Sequence, residues 1–472
     1  MRPALSVSML ALLALLLPAC AAAPDRQGGA NNGTGGGSDG GTDTAVPLPS
    51  EVWRSDGYGL IIGVAGSKAL TFETTEVSCL PSKSLDQLGQ AAADGTVQYG
   101  RKGVPAETLR RGADGKATLH LLGTAADIDL LPMSELPGAC TKKMPTDPLT
   151  TFDVFWATFA ENYNSFGRKN IDWDAVRDQY RPKVSSDTED AELFAVLRSM
   201  IKPLGDVHTT ISADGKEFYG LRPGTPDLSD KGVRKAVDDH LREDLGVSQI
   251  QSFANRAISY ADLPGGRGYL RIDGFEGYND EDSSFTGSKA TLAQVLDQVF
   301  TQQRVSTLKG LIIDVRNNSG GDDALGLQVA GRLTNTPYTA FTKQPRNDPK
   351  DQSKHGRLQT VTVTPATGPR YTGPIRVLTS ELTISAGETF VEALMGRTPA
   401  PSRYGAATQG VFADDMSRKL PNGWTITLGN EDYYAPDGRN YESIGIPPTV
   451  PVPVFSADDL EQHRDAAVDA PW

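Results

Sequence analysis

From Gly268 onward the chain alternates strand-like and helix-like segments, and this alternation constrains its fold more than any other feature. GYLRIDGF leads to ATLAQVLDQVF, where Leu292, Val295, Leu296, Val299 and Phe300 recur at i, i+3, i+4, i+7 and i+8, the repeat of one helical face. LKGLIIDV is an unbroken apolar strand that ends in RNNSGGDD and is followed by the helix-like ALGLQVAGRL. IRVLTS then runs through a short loop into SAGETFVEALMG. This order predicts an α/β core over 268–456 with a largely parallel sheet. Such cores gather their chemistry at the carboxyl ends of the strands, which here are RNNSGGDD and SELTISAGE.

Upstream the texture differs. Over 48–143 short runs of β-formers (YGLIIGV, ALTFETTEV, TVQYG, ATLHLLG, DIDLLPM) alternate with turn residues and predict a small all-β domain. It shows no catalytic constellation, so binding or spacing is its expected role. A helical segment is expected over 148–212, because FDVFWATFAENY and AELFAVLRSMI carry apolar residues at helical intervals. Residues 213–267 read as a linking stretch and 457–472 as a C-terminal tail.

The first twenty residues, MRPALSVSMLALLALLLPAC, have the form of an export signal whose ending resembles a bacterial lipobox. Lipidation of Cys20 would make it the only membrane attachment, because no later stretch has the roughly 18 apolar residues of a span. The alternative is plain secretory cleavage nearby. Residues 21–47, dominated by Gly, Asn, Ser, Thr and Asp, are expected from composition to be a flexible tether. With Cys20 lipidated, Cys79 and Cys140 remain as a candidate disulfide, or as two free thiols. Three scattered cysteines do not make a structural zinc site, and EGYNDEDSS lacks the spacing of a calcium loop, so no metal is expected. The chain of 472 residues carries a net charge of -13 with no basic run, which argues against nucleic acid as a partner.

Ser385 stands where a predicted helix begins, either as an N-cap or as a nucleophile beside the free amides of the first turn. Gly320 and Gly321 form a turn whose amides can face an anion, or simply join strand to helix. A serine nucleophile needs a base, and of the five histidines His208, in the loop that ends the helical segment, is the best placed. Glu388, in the first turn after Ser385, is expected to complement the helix dipole rather than react.

Taken in order, Gly-Asp-Val-His-Thr, Leu-Ile-Ile-Asp-Val-Arg-Asn-Asn-Ser-Gly-Gly, Thr-Ile-Ser-Ala-Gly-Glu and Tyr-Glu-Ser-Ile-Gly-Ile-Pro-Pro resemble the tail-specific and tricorn-type serine peptidases, over roughly Pro148 to Phe455. The resemblance implies a crotonase-like (ClpP-like) α/β catalytic core, a peptide or protein substrate, and no metal or organic cofactor. Tail-specific relatives use a lysine about 25 residues after the serine, a region that here reads TQGVFADD and has none. Tricorn-like relatives use a histidine and a glutamate, and His208 and Glu442 match those positions.

The resemblance therefore implies that Ser385 attacks a peptide carbonyl, His208 carries the proton and Glu442 orients the imidazole. Ala386, with Gly320 or Gly321, would hold the oxyanion. The chain departs from the family at Val207, where the tricorn protease has serine, and at Thr449, where aspartate is usual. The 213–267 stretch is also too short for a PDZ domain. A competing reading is a binding protein that keeps the fold without turnover, as in the family's retinoid-binding relatives.

Overall fold

The unbroken apolar run of LIID is explained by a strand buried on both faces: Leu311 and Ile313 enter one hydrophobic core while Ile312 enters another. A computed structural model describes residues 48–213, 215–225, 232–462 and 464–472. The export-like segment 1–20, Cys20 and the tether 21–47 lie outside the described residues.

Eight antiparallel strands, β1 (Glu51–Ser55), β2 (Leu60–Ala65), β3 (Lys68–Thr75), β4 (Ser78–Leu88), β5 (Thr96–Arg101), β6 (Val104–Arg111), β7 (Ala117–Leu121) and β8 (Ile128–Met133), close into a barrel. Closure comes from β1 pairing with β8, Trp53 opposite Pro132, which leaves no open edge. Cys79 and Cys140 are bonded, tying β4 to the barrel's exit with Cα atoms 4.8 Å apart. Helices α1 (Pro148–Asn162), α2 (Phe166–Lys169), α3 (Trp173–Tyr180) and α4 (Asp190–Ile201) follow. Leu193, Phe194, Leu197, Met200 and Ile201 of α4 are buried in one cluster with the barrel interior. The barrel and the helical segment therefore share a core.

Strands β9 (Thr210–Ala213) and β10 (Lys216–Tyr219) leave the helical segment. Next come α5 (Gly232–Asp239), β11 (Ile250–Phe253), β12 (Ile258–Leu263), β13 (Arg267–Ile272), α6 (Phe285–Val299), α7 (Gln302–Thr307) and β14 (Gly310–Asp314). The chain continues through α8 (Asp323–Gly331), β15 (Tyr338–Pro345), β16 (Gln359–Val363), β17 (Ile375–Thr379), α9 (Ala386–Met395) and β18 (Ser402–Gly405). It ends with β19 (Met416–Lys419), β20 (Thr425–Leu428), β21 (Glu431–Tyr434), β22 (Val450–Pro451), α10 (Ala457–Glu461) and α11 (Ala466–Asp469).

The core sheet has the order β11-β12-β13-β14-β17-β18-β22, antiparallel as far as β13 and parallel beyond. The stretch 213–267 is thus more than a connection, since it supplies β10 and two strands of the core sheet. Nor are 457–472 a loose tail. Asp465 takes the buried Arg316 guanidinium at 2.7 Å, and Arg376 donates to the carbonyls of Ala467, Val468, Ala470 and Pro471. A second sheet, β10-β9-β20-β19, holds β9 and β19, the strands that directly follow His208 and Asp415. Among the described residues no helix is long and apolar enough to cross a membrane.

Candidate active site

β14 and β17 are parallel neighbours, Asp314 opposite Leu378, so RNNSGGDD and SELTISAGE leave the sheet side by side. Polar bonds stitch the two loops together: Thr383 Oγ1 donates to Val315 O at 2.8 Å, Ile384 N to Asn318 O at 2.9 Å, and the Ser380 hydroxyl to Arg316 O. Ser385 then caps α9 with φ 53° and ψ -121°, a strained left-handed turn. Its side chain makes no capping bond, so the N-cap alternative is not the one realised. The Ser385 carbonyl accepts from Glu388 N and Thr389 N, while among the described residues the Ala386 N–H meets no acceptor.

Gly320, at φ 97°, approaches so closely that a Cβ there would lie 2.7 Å from the Ser385 Cβ. Its own amide donates to Asn318 Oδ1 at 3.0 Å. Of the two candidate glycines, Gly321 is the one whose N–H has no acceptor among the described residues. Phe275 brackets Gly321 in a parallel bridge. Beside it, burial pushes the Glu276 and Asp322 carboxyls up to about 7, with repulsion from neighbouring carboxylates adding to the effect.

His208 is held from both sides of its backbone. Asp206 accepts from His208 N at 2.9 Å and from the Tyr163 hydroxyl at 2.6 Å, and Thr427 Oγ1 donates to His208 O at 2.7 Å. Val207 packs in one apolar cluster with Ile384 and Val411, which brings the neighbour of His208 against the neighbour of Ser385. Among the described residues Ser385 Oγ has no hydrogen-bond partner, so the serine and the histidine are not bonded to each other. Of the other histidines, His120 faces Asp127, His240 faces Asp244 and Asp469, and His355 faces Asp432. His463 lies outside the described residues.

Glu442 does not sit where the resemblance placed it, in contact with the imidazole. Its Oε2 accepts from Phe412 N at 2.9 Å, and burial, reinforced by Asp206, pushes its carboxyl up to about 8. Among the described residues the carboxylate within 4 Å of a His208 ring nitrogen is that of Asp415, with Oδ1 3.7 Å from Nε2. Burial alone would lower the basicity of His208, but Asp415, then Asp206, Glu442 and Asp414, outweigh it and the imidazole's pKa is raised. Glu388 turns away from the dipole role expected of it: it is fully buried, accepts from Gly410 N at 2.7 Å and Val411 N at 2.8 Å, and is pushed up to about 7 by burial.

Asp415 escapes the sequence reading because the resemblance makes a lysine, and not an acid, the residue of interest in TQGVFADD. The paired Asp414-Asp415 was the available signal. The loop partners of Glu388 and Glu442 left no mark in the sequence, since backbone amides carry no residue identity.

Residues 266–452 match the model of peptidase family S41, and residues 144–202 match that of the tricorn protease C1 domain. No curated protein matches the chain. Among solved structures, a candidate peptidase from Parabacteroides merdae is similar at 23% identity and a TM-score of 0.58, with 69% of this chain and 95% of that one covered. Mature CPAF is similar at 14% identity and a TM-score of 0.49, covering 67% and 94%. The tricorn protease is similar at 15% identity and a TM-score of 0.41, covering 87% and 44%. Through these two matched regions, the chain belongs to the tail-specific and tricorn-type serine peptidases of family S41.

Proposed function

We propose that this serine peptidase is an exported endopeptidase working through an acyl-enzyme, with Ser385 as nucleophile, His208 as base and Glu442 as the supporting glutamate. The observation that carries the reading is the strained Ser385 at the start of α9, with the open Ala386 amide beside it and the Gly321 amide on the adjoining loop. In this reading Ser385 Oγ attacks the peptide carbonyl as its proton passes to His208. The two amides receive the oxyanion, and His208 returns the proton to the leaving amine. Water then repeats the sequence on the ester and frees the acid. The Ser385–His208 hydrogen bond forms as substrate closes over the site, a tightening common in serine hydrolases. Glu442 contributes through its hold on the Phe412 amide.

A crotonase-like core is consistent with the parallel strands and the helices that follow them. Export and lipid attachment at Cys20 rest on the apolar run and small-residue ending of the first twenty residues. Intact-mass labelling with a fluorophosphonate tests the chemistry. The wild-type chain takes up one label, while S385A and H208A take up none. A folded wild type that stays unlabelled contradicts the reading.

A further inference from the structure

Sheet register brings His208 and Asp415 together. Thr427, in the central strand β20, pairs with Thr210 of β9 on one side and with Ser417 of β19 on the other. Both pairings are antiparallel, so β9 and β19 run parallel to each other and begin at the same end of the sheet. His208 stands two residues before Thr210, and Asp415 two residues before Ser417. The two side chains therefore occupy equivalent places at the sheet's end, one strand apart, and meet across β20 at 3.7 Å.

The loop that delivers Asp415 is pinned along its length. Gln409 N donates to Thr383 O at 3.0 Å, on the loop that carries Ser385. Gly410 N and Val411 N are held by Glu388, Phe412 N by Glu442, and Asp414 N by Glu431 Oε2 at 3.1 Å. The Asp414 carboxylate is drawn the other way, to Lys343 Nζ at 2.8 Å. The Asp415 side chain is 18% exposed, and its Oδ1 is fully buried with no hydrogen-bond donor. A buried carboxylate oxygen without a donor is costly. The imidazole of His208, 3.7 Å away, can supply one once it is protonated.

We infer that Asp415 is the positioning residue for His208, aligning the ring through Nε2 and stabilising the imidazolium that forms when Ser385 gives up its proton. Glu442 serves this arrangement indirectly, by holding Phe412 and so the loop. The inference rests on the proposed roles of Ser385 and His208 and moves the direct contact from Glu442 to Asp415. The charged groups facing His208 are Asp415, Asp206, Glu442 and Asp414, of which Asp415 contributes most to holding the proton on the ring. Lys169 acts on Glu442 rather than on the imidazole.

The test is the NMR titration of the His208 imidazole in the mature chain, run beside the pH dependence of fluorophosphonate labelling, for wild type, D415N, D415E and E442Q. D415N is expected to lower the His208 midpoint by about one unit or more. The acid limb of labelling should move down with it, and the alkaline plateau should fall about 10-fold or more. D415E should restore part of both, and E442Q should move the midpoint less than D415N. An unchanged midpoint in folded D415N overturns the inference, as does a larger shift in E442Q. Should D415N fail to fold, a His208 midpoint in D415E equal to the wild-type value together with a large shift in E442Q overturns it equally. If wild type takes no label while D415N still shifts His208, the acyl-enzyme reading falls and the Asp415–His208 pairing stands.

Discussion

A serine at φ 53° and ψ -121° is strained, and the strain serves to project the hydroxyl from the start of α9. Ser385→Gly should therefore raise stability by about 1 kcal/mol in urea unfolding while abolishing fluorophosphonate labelling. Ser385→Ala should abolish labelling with no such gain, because alanine meets the same backbone restriction. A glycine variant no more stable than the alanine variant would argue that the turn is unstrained. Gly320 shows the same economy: its positive φ and its contact with Ser385 both exclude a side chain. The motifs that carry Ser385, His208, Ala386 and the Gly320-Gly321 pair were legible in the sequence because each is a short local pattern, while the choice between the two glycines was not. Asp415 was not, since its significance depends on a strand register that brackets β20.

The helices α1, α4, α6, α8 and α9 were readable from their apolar spacing, and β13, β14 and β17 from their runs of β-formers. In the barrel, β2, β3, β5, β7 and β8 were legible, whereas β1, β4 and β6 were not. EVWRS, SCLPSKSLDQL and VPAETLRR are short, proline-bearing or rich in exposed polar residues, and they become strands by pairing with neighbours already in place. The barrel is also no detached module. Ala324 N donates to Gly123 O at 3.0 Å, the Gln359 amide bonds both backbone groups of Asp127, and Tyr58 donates to Glu431 at 2.6 Å.

Gly123 lies between β7 and β8 at φ 101°, where a Cβ would come 2.1 Å from Asp322 Oδ1, beside Gly321. Gly123→Ala is thus expected to slow labelling of Ser385 from a distance, through the Gly321 loop, and to cost more than about 1 kcal/mol. Labelling at the wild-type rate would show the barrel to be uncoupled from the site. Replacing Cys79 and Cys140 with serine opens a link spanning 61 residues, and should cost about 4 kcal/mol of stability in denaturant unfolding.

At the scale of the whole molecule, a set of the chain's carboxyls stands where water is excluded. Burial, before any other cause, pushes Glu276, Asp322, Asp323 and Glu388 up to about 7 and Glu442 to about 8. In the unfolded chain such groups titrate near about 4, so between about pH 4 and 8 the folded state binds more protons than the unfolded one. The stability this contributes is fully present below the unfolded values and is lost as pH rises through the folded ones. The thermal midpoint should accordingly fall from pH 5 to pH 9 in calorimetry, and a flat or rising midpoint would contradict these shifts.

By itself the sequence determined the alternating α/β core, the helical segment, the β-rich start and the motifs that hold Ser385 and His208, because each depends on residues close together in the chain. Tertiary structure decided the rest: the closure of the barrel, its seam with the core, the docking of 457–472, and the choice of Asp415 over Glu442 as the carboxylate that meets His208. These depend on pairings between distant strands and on backbone amides, whose positions follow from the register of the whole sheet rather than from any local run of residues.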